Sequence, residues 1–226
     1  MTLKASDLNQ TSLSDLPSIH VVGAGGAGMN AIAAVLLSMG HSVSGSDLRE
    51  SAGVSRLRSM GARVEVGHHA GNIGDASIIC RSTAVPDSNV EIQAALDARR
   101  VVLSRAEILA AICSTKQTIA VAGTHGKTTT SSMLALALTA AGLAPSFIVG
   151  GDLNDIGSGA VWNDQGDLFV VEADESDGSF RKLPASIALV TNIDPEHLDH
   201  WGSFDKLRKA FVSFIQNIPF YGLGVL

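Results

Sequence analysis

The 226 residues carry 16 Lys and Arg against 22 Asp and Glu, a formal net charge of -6 with the basic residues scattered. That balance excludes a nucleic-acid surface, which needs clustered cations to displace counterions from phosphates, and 46% hydrophobic with 17% charged residues excludes wholesale disorder. The two cysteines, Cys80 and Cys113, make no C-x-x-C pair, so neither a disulfide framework nor a zinc ribbon is expected, and a reducing compartment is the default.

Residues 1–17 are polar, carry Asp7 and Asp15, and lack the basic start and apolar middle of a secretory signal, so they read as a loose leader. From there short apolar runs alternate with helical patterns, as in a parallel sheet with helical crossovers. The first series predicts strands at 19–22, 42–45, 76–80 and 101–103 and helices at 27–39, 90–98 and 105–112, an α/β, doubly wound, Rossmann-like domain over 18–114. The second predicts strands at 118–122, 147–149, 168–171 and 188–191 and helices at 127–141 and 203–217, a P-loop ATPase-type central domain over 115–226. Residues 222–226 read as the start of one more strand, so the expectation is a fragment whose central domain is incomplete. The most apolar helical stretch, 133–144, falls short of the roughly 20 residues that span a bilayer, so a cytoplasmic protein without a membrane partner is expected.

Two glycine loops carry the chemistry. G-A-G-G-A-G places Gly23, Gly25 and Gly28 in G-x-G-x-x-G spacing between a predicted strand and helix, with Gly26 inside the loop. Such glycines permit a tight turn and let a diphosphate approach backbone N–H groups at a helix N-terminus. Asp47, at the end of the second strand, stands where an acidic residue often bonds a ribose hydroxyl, so NAD and other nucleotide diphosphates both remain open.

The second loop, A-G-T-H-G-K-T-T-T, also joins an apolar strand to a helix. It matches only the second half of G-x-x-x-x-G-K-[ST], because Val121 stands where the first glycine would be. The essentials survive: Gly123 and Gly126 leave backbone N–H groups for phosphates, Lys127 can reach the β/γ oxygens, and the Thr128 hydroxyl can serve Mg²⁺. ATP chemistry follows, with Thr124, His125 and Thr129 completing the loop.

After the strand at 168–171 comes E-A-D-E-S-D, four carboxylates in six residues, whose repulsion calls for a nearby cation. Mg²⁺ takes oxygen ligands beside nucleotide phosphates, and Glu172 is the first choice because it continues the strand toward the nucleotide edge. The strand at 188–191 runs into N-I-D-P-E-H-L-D-H, bringing His197, Asp199 and His200 to the same sheet edge, where His197 could bind a second metal or a phosphate. Zinc is not favoured, for want of a Cys or His partner in metal spacing.

The two loops in this order, followed by E-A-D-E-S-D and T-N-I-D-P-E-H-L-D-H, resemble the ATP-dependent peptidoglycan Mur ligases. That family's loop looks like G-T-x-G-K-T-T, which residues 123–129 match, departure at Val121 included. G-A-G-G-A-G-M at 23–29, G-S-D at 45–47, S-R-A-E at 104–107 and N-I-P-F-Y-G-L at 217–223 look like the branch that attaches L-alanine to UDP-N-acetylmuramate. The resemblance covers about residues 18–226.

It implies that Gly23, Gly25, Gly26 and Gly28 hold the UDP diphosphate in place of NAD, with Ser46, Asp47 and Ser82 near the uridine-muramate portion. It further implies ATP on Lys127, one Mg²⁺ on Thr128 and Glu172, and a second served by His197. The implied reaction phosphorylates the muramate carboxylate and lets alanine open the acyl phosphate. The family's third, C-terminal domain and the elements that contact adenine and the amino acid are not in this chain, so the fragment is expected to be inactive alone. The competing readings are a relative that attaches a preformed peptide, an NAD-dependent dehydrogenase, and a non-catalytic nucleotide-binding module. Self-association stays open.

Overall fold

The structure, a computed structural model, describes residues 18–154 and 157–226, so the leader expected at 1–17 lies outside the described residues. Two compact units divide between Ala111 and Ile112.

The first unit opens with β1 (Ser18–Val22), α1 (Ala27–Ser38), β2 (Ser42–Asp47), α2 (Ala52–Ser59) and β3 (Arg63–Val66). It continues through a 3₁₀ turn at Ala70–Ile73, β4 (Ile78–Arg81), α3 (Val90–Asp97), β5 (Val101–Ser104) and α4 (Arg105–Cys113), whose last turn holds the division. All five strands are parallel in the order β3-β2-β1-β4-β5. A central parallel strand is covered on both faces and so reads as a continuous apolar run; in β1, Ile19, Val21 and Val22 are fully buried. Val22, Ile79, Val85, Ile92 and Ala95 form the core between the sheet and α3, each large aliphatic contributing roughly 1.5–3 kcal/mol by burial. Strand order reverses between β2-β1 and β1-β4, and ligands of such sheets bind outside the carboxyl ends at that switch point.

The second unit holds β6 (Gln117–Ala122), α5 (Lys127–Ala140), β7 (Ser146–Leu153), β8 (Ser158–Val161) and β9 (Leu168–Glu172). Beyond a 3₁₀ turn at Ser179–Lys182 come β10 (Ile187–Val190), α6 (Leu198–Trp201), α7 (Phe204–Gln216) and β11 (Leu223–Val225). The order is β11-β10-β6-β9-β7-β8, parallel except for the β7–β8 pair. Ser203 starts α7 by accepting the Lys206 N–H, a side-chain cap worth about 1 kcal/mol. The helix buries Phe211 and Phe214 against Phe180, both ring pairs 5.1 Å apart, and so anchors the turn that follows the acidic segment.

Four elements depart from the sequence reading. Helix α2 and strand β3 are not predicted: three of the four β3 residues are exposed, too short a pattern to show alternation. Strand β8 adds an antiparallel edge, and β2 runs on to Asp47, past the predicted end at residue 45. Among the described residues no helix is long and apolar enough to cross a membrane.

Candidate functional site

In the first unit the glycine loop leaves β1 and is pinned to β2. Gly23 adopts φ +82°, and the N–H groups of Gly23 and Ala24 both donate to the Ser46 carbonyl, at 2.8 and 3.0 Å. The Gly25 N–H donates to Asp47 Oδ2 at 2.8 Å. A Cβ at Gly25 would lie 2.9 Å from that oxygen, and one at Gly23 would lie 3.0 Å from Ser82 Cβ. Ser82 follows β4, so loop, Asp47 and Ser82 meet at the β1/β4 switch point. At Gly28 an added Cβ would sit 2.8 Å from Arg105 Nε, which places a guanidinium against the start of α1.

Ser46 does something other than line a ligand pocket with its hydroxyl. The residue is fully buried, and its Oγ donates to Glu91 Oε2 at 2.5 Å. Glu91 also accepts from His20 Nε2 at 3.4 Å, Asn72 Nδ2 at 2.6 Å and the His69 N–H at 3.1 Å, while His68 Nδ1 approaches Ser46 Oγ at 3.0 Å. Burial pushes the Glu91 carboxyl up, but the donors from His20, Ser46, Asn72 and His69 outweigh it and hold it down at about 2. Sequence reasoning passes over Glu91 because an acid in the first turn of a helix reads as a solvated end; here it is the acceptor hub that fixes Ser46, and through the Ser46 carbonyl the glycine loop.

In the second unit the second glycine loop runs from β6 into α5. Gly123 has φ +136° and a Cβ there would lie 2.0 Å from Thr191 Oγ1; Gly126, at φ +79°, caps α5. Segment 191–194 braces the loop: Thr191 Oγ1 and Asn192 Nδ2 donate to the His125 carbonyl at 2.6 and 3.0 Å, and the His125 and Thr124 N–H groups donate back to Asn192. Buried Thr124 accepts from the Asp194 N–H at 2.8 Å. The His125 ring, more than half exposed, lies 3.4 Å from Glu196. These side-chain and backbone ties from the β10 loop hold the loop in place beside Val121.

Thr128 and Glu172 converge as expected for an oxygen-ligand pair. Thr128 Oγ1 lies 3.1 and 2.9 Å from the two Glu172 carboxylate oxygens, and the Gly150 N–H donates to Glu172 Oε2 at 2.8 Å. Hydroxyl and carboxylate oxygens at one sheet edge fit Mg²⁺, which keeps several waters and needs only one or two protein ligands next to phosphates. Among the described residues no group of three His, Cys, Asp or Glu side chains forms a cage. His197, in left-handed backbone at φ +53°, does not join Glu172: its Nε2 lies 3.7 Å from Glu175 Oε1. His200 packs edge-on against Trp201.

Lys127, expected to reach nucleotide phosphates, is engaged here by the protein itself. The ammonium donates to the Gly123 and Thr124 carbonyls at 2.8 and 3.2 Å and pairs with both oxygens of Glu175 at 2.9 and 3.0 Å. Glu175 is fully buried. The four carboxylates of E-A-D-E-S-D thus divide their work: Glu172 meets Thr128, Glu175 meets Lys127, and Asp174 and Asp177 accept the N–H groups of Ser176 and Ser179 in turns.

Two glycine loops, each at the carboxyl edge of its own sheet, with a lysine and a hydroxyl–carboxylate pair at the second, mark the two candidate sites of this α/β protein. The chain belongs to the Mur ligase family: residues 18–117 match the Mur ligase family catalytic domain and residues 121–226 the Mur ligase middle domain. Within it, the chain is 52% identical to the UDP-N-acetylmuramate–L-alanine ligase of Methylocella silvestris, over 94% of this chain and 45% of that protein. It is 55% identical to the same-named ligase of Sinorhizobium medicae, over 92% and 44%. The chain therefore spans less than half the length of these curated relatives. Among solved structures, the Thermotoga maritima UDP-N-acetylmuramate–alanine ligase matches with TM-score 0.82 and 33% identity, over 89% of this chain and 47% of that one. The UDP-N-acetylmuramate:L-alanyl-gamma-D-glutamyl-meso-diaminopimelate ligase of Neisseria meningitides matches with TM-score 0.85 and 29% identity, over 92% and 70%.

Proposed function

We propose that this chain carries the sugar-nucleotide and ATP sites of a cytoplasmic, ATP- and Mg²⁺-dependent ligase that joins L-alanine to the carboxylate of UDP-N-acetylmuramate in peptidoglycan precursor synthesis. The observation that carries the reading is the Thr128–Glu172 pair at the mouth of a lysine-bearing phosphate loop. Identity of 52–55% to alanine-adding relatives, against 29% to the peptide-adding structure, favours alanine as the acceptor.

In this reading the amides of Gly23–Gly28 take the UDP diphosphate, with Asp47 and Ser82 beside the uridine-muramate portion. Lys127 and the loop amides cradle the ATP phosphates, and Thr128 with Glu172 would hold Mg²⁺, which neutralises charge on the transferred phosphoryl group. The muramate carboxylate is its own nucleophile, so forming the acyl phosphate needs positioning and charge neutralisation rather than a side-chain base. His197 would serve a second Mg²⁺ beside the phosphates, as the weaker ligand site, because its imidazole nitrogen is a softer donor than Mg²⁺ favours.

Thermal-shift titration tests the reading: stabilisation by UDP-N-acetylmuramate and by MgATP is expected, and stabilisation by NAD alone would overturn it in favour of a dehydrogenase.

A further inference from the structure

The buried carboxylate of Glu175 lies between two groups of the proposed ATP site that come from different loops. Lys127, from the start of α5, puts its ammonium 2.9 and 3.0 Å from the two carboxylate oxygens; His197, after β10, brings Nε2 to 3.7 Å from one of them. Glu175 itself is immobilised: the side chain is fully buried, and its backbone carbonyl accepts the Trp201 indole N–H at 3.1 Å, with Trp201 in edge contact with Phe180. The Lys127 side chain is itself only 15% exposed. A lysine waiting for phosphate has no need of a buried counter-ion, whereas a lysine that must be held back, or held in one place, does.

We propose that Glu175 is a positioning residue that parks the Lys127 ammonium on the protein and fixes its distance from His197, so that nucleotide phosphates must compete with the Lys127–Glu175 ion pair. Phosphates that draw the ammonium away leave a carboxylate buried without its cation. Phosphates that share the ammonium with Glu175 meet a like charge a few ångströms off, where the dielectric is low. Either way Glu175 weakens nucleotide binding, and the gain is a lysine whose position relative to His197 is set before phosphate arrives. The proposal rests on the ATP reading of the loop.

A neutral isostere at this position separates positioning from mere support. Glu175→Gln keeps the shape and an oxygen that can accept from Lys127 but removes the charge. The expected result, by calorimetric titration of the 226-residue chain, is MgATP binding on the order of tenfold tighter, with UDP-N-acetylmuramate affinity unchanged. In the full-length ligase the same substitution lowers the KM for ATP and lowers kcat. A folded Glu175→Gln chain that binds MgATP no tighter than the parent overturns the proposal, because a supporting side chain can only weaken binding when altered. A second pair keeps the test decisive should that variant fold poorly: Lys127→Met strands the buried carboxylate and lowers the unfolding midpoint, and adding Glu175→Gln restores part of the loss. A double variant less stable than Lys127→Met alone overturns the ion pair as the organising contact. A parent chain that binds no MgATP would instead overturn the nucleotide reading, while the stability arm would still report on the pair.

Discussion

Glu91→Gln in the first unit probes how the first glycine loop is held. The carboxylate gathers donors from His20, Ser46, Asn72 and the His69 backbone, and it lies in the first turn of α3, where the helix dipole favours an anion. Burial opposes its ionisation and the donors win, lowering the group from 4.5 to about 2. At about 1.4 kcal/mol per pH unit, that lowering corresponds to roughly 3 kcal/mol of folding free energy. A group lowered in the folded state stabilises fully above its unfolded value, so this contribution is complete above pH 4.5 and is lost as pH falls from there toward about 2. Gln at this position offers an N–H₂ to a ring of donors and forfeits the contribution at neutral pH.

The assay is hydrogen exchange at the Gly23 and Ala24 amides, which bond the Ser46 carbonyl, in parallel with urea unfolding between pH 3 and 7. The expected variant is about 3 kcal/mol less stable at pH 7, with faster exchange at both amides and a flatter acid limb than the parent. A variant whose stability falls with acid as steeply as the parent's would refute the assignment of that limb to Glu91. Unchanged exchange at Gly23 and Ala24 would refute its hold on the loop.

Other outcomes follow from single contacts. Gly150→Ala puts a methyl 2.6 Å from Glu172 Oε2 and 2.7 Å from Thr128 Oγ1, so Mg²⁺-dependent ATP binding should fall at least tenfold, about 1.4 kcal/mol, with UDP-N-acetylmuramate binding retained; equal affinity in a calorimetric titration would contradict the pairing. Gly123→Ala, meeting Thr191 Oγ1 at 2.0 Å in left-handed backbone, should cost several kcal/mol and abolish the ATP response in a thermal-shift series. Cys80 and Cys113 are buried, with both thiols pushed up by burial, that of Cys113 to about 12; a thiol reagent at pH 8 should label neither before urea unfolds the chain, and fast labelling in buffer would count against the packed cores.

Much of the architecture is legible in the residues because the strands of parallel sheets are apolar runs and the loops that follow β1 and β6 are rich in glycine. The convergence of Thr128 with Glu172 is readable for the same reason: both stand at the carboxyl edge, one after a strand and one ending a strand. What the sequence hides is burial. Glu91 and Glu175 look like ordinary surface acids, one on an amphipathic helix and one in an acidic turn, and only the fold reveals that each is sealed against partners distant in the sequence. Ser46 illustrates the same gap: its place beside the glycine loop is readable, but the direction of its hydroxyl, inward to Glu91, is not. Strand β3 escapes because three of its four side chains face solvent.

The most direct measurement of the two-nucleotide account is binding of UDP-N-acetylmuramate and of MgATP to the same chain and to its Lys127→Met variant. The account predicts one site for each ligand in the parent, and in the variant an unchanged sugar-nucleotide affinity with MgATP binding lost. MgATP binding that survives the loss of the Lys127 ammonium, or a sugar-nucleotide site that disappears with it, would contradict the assignment of the second loop to ATP.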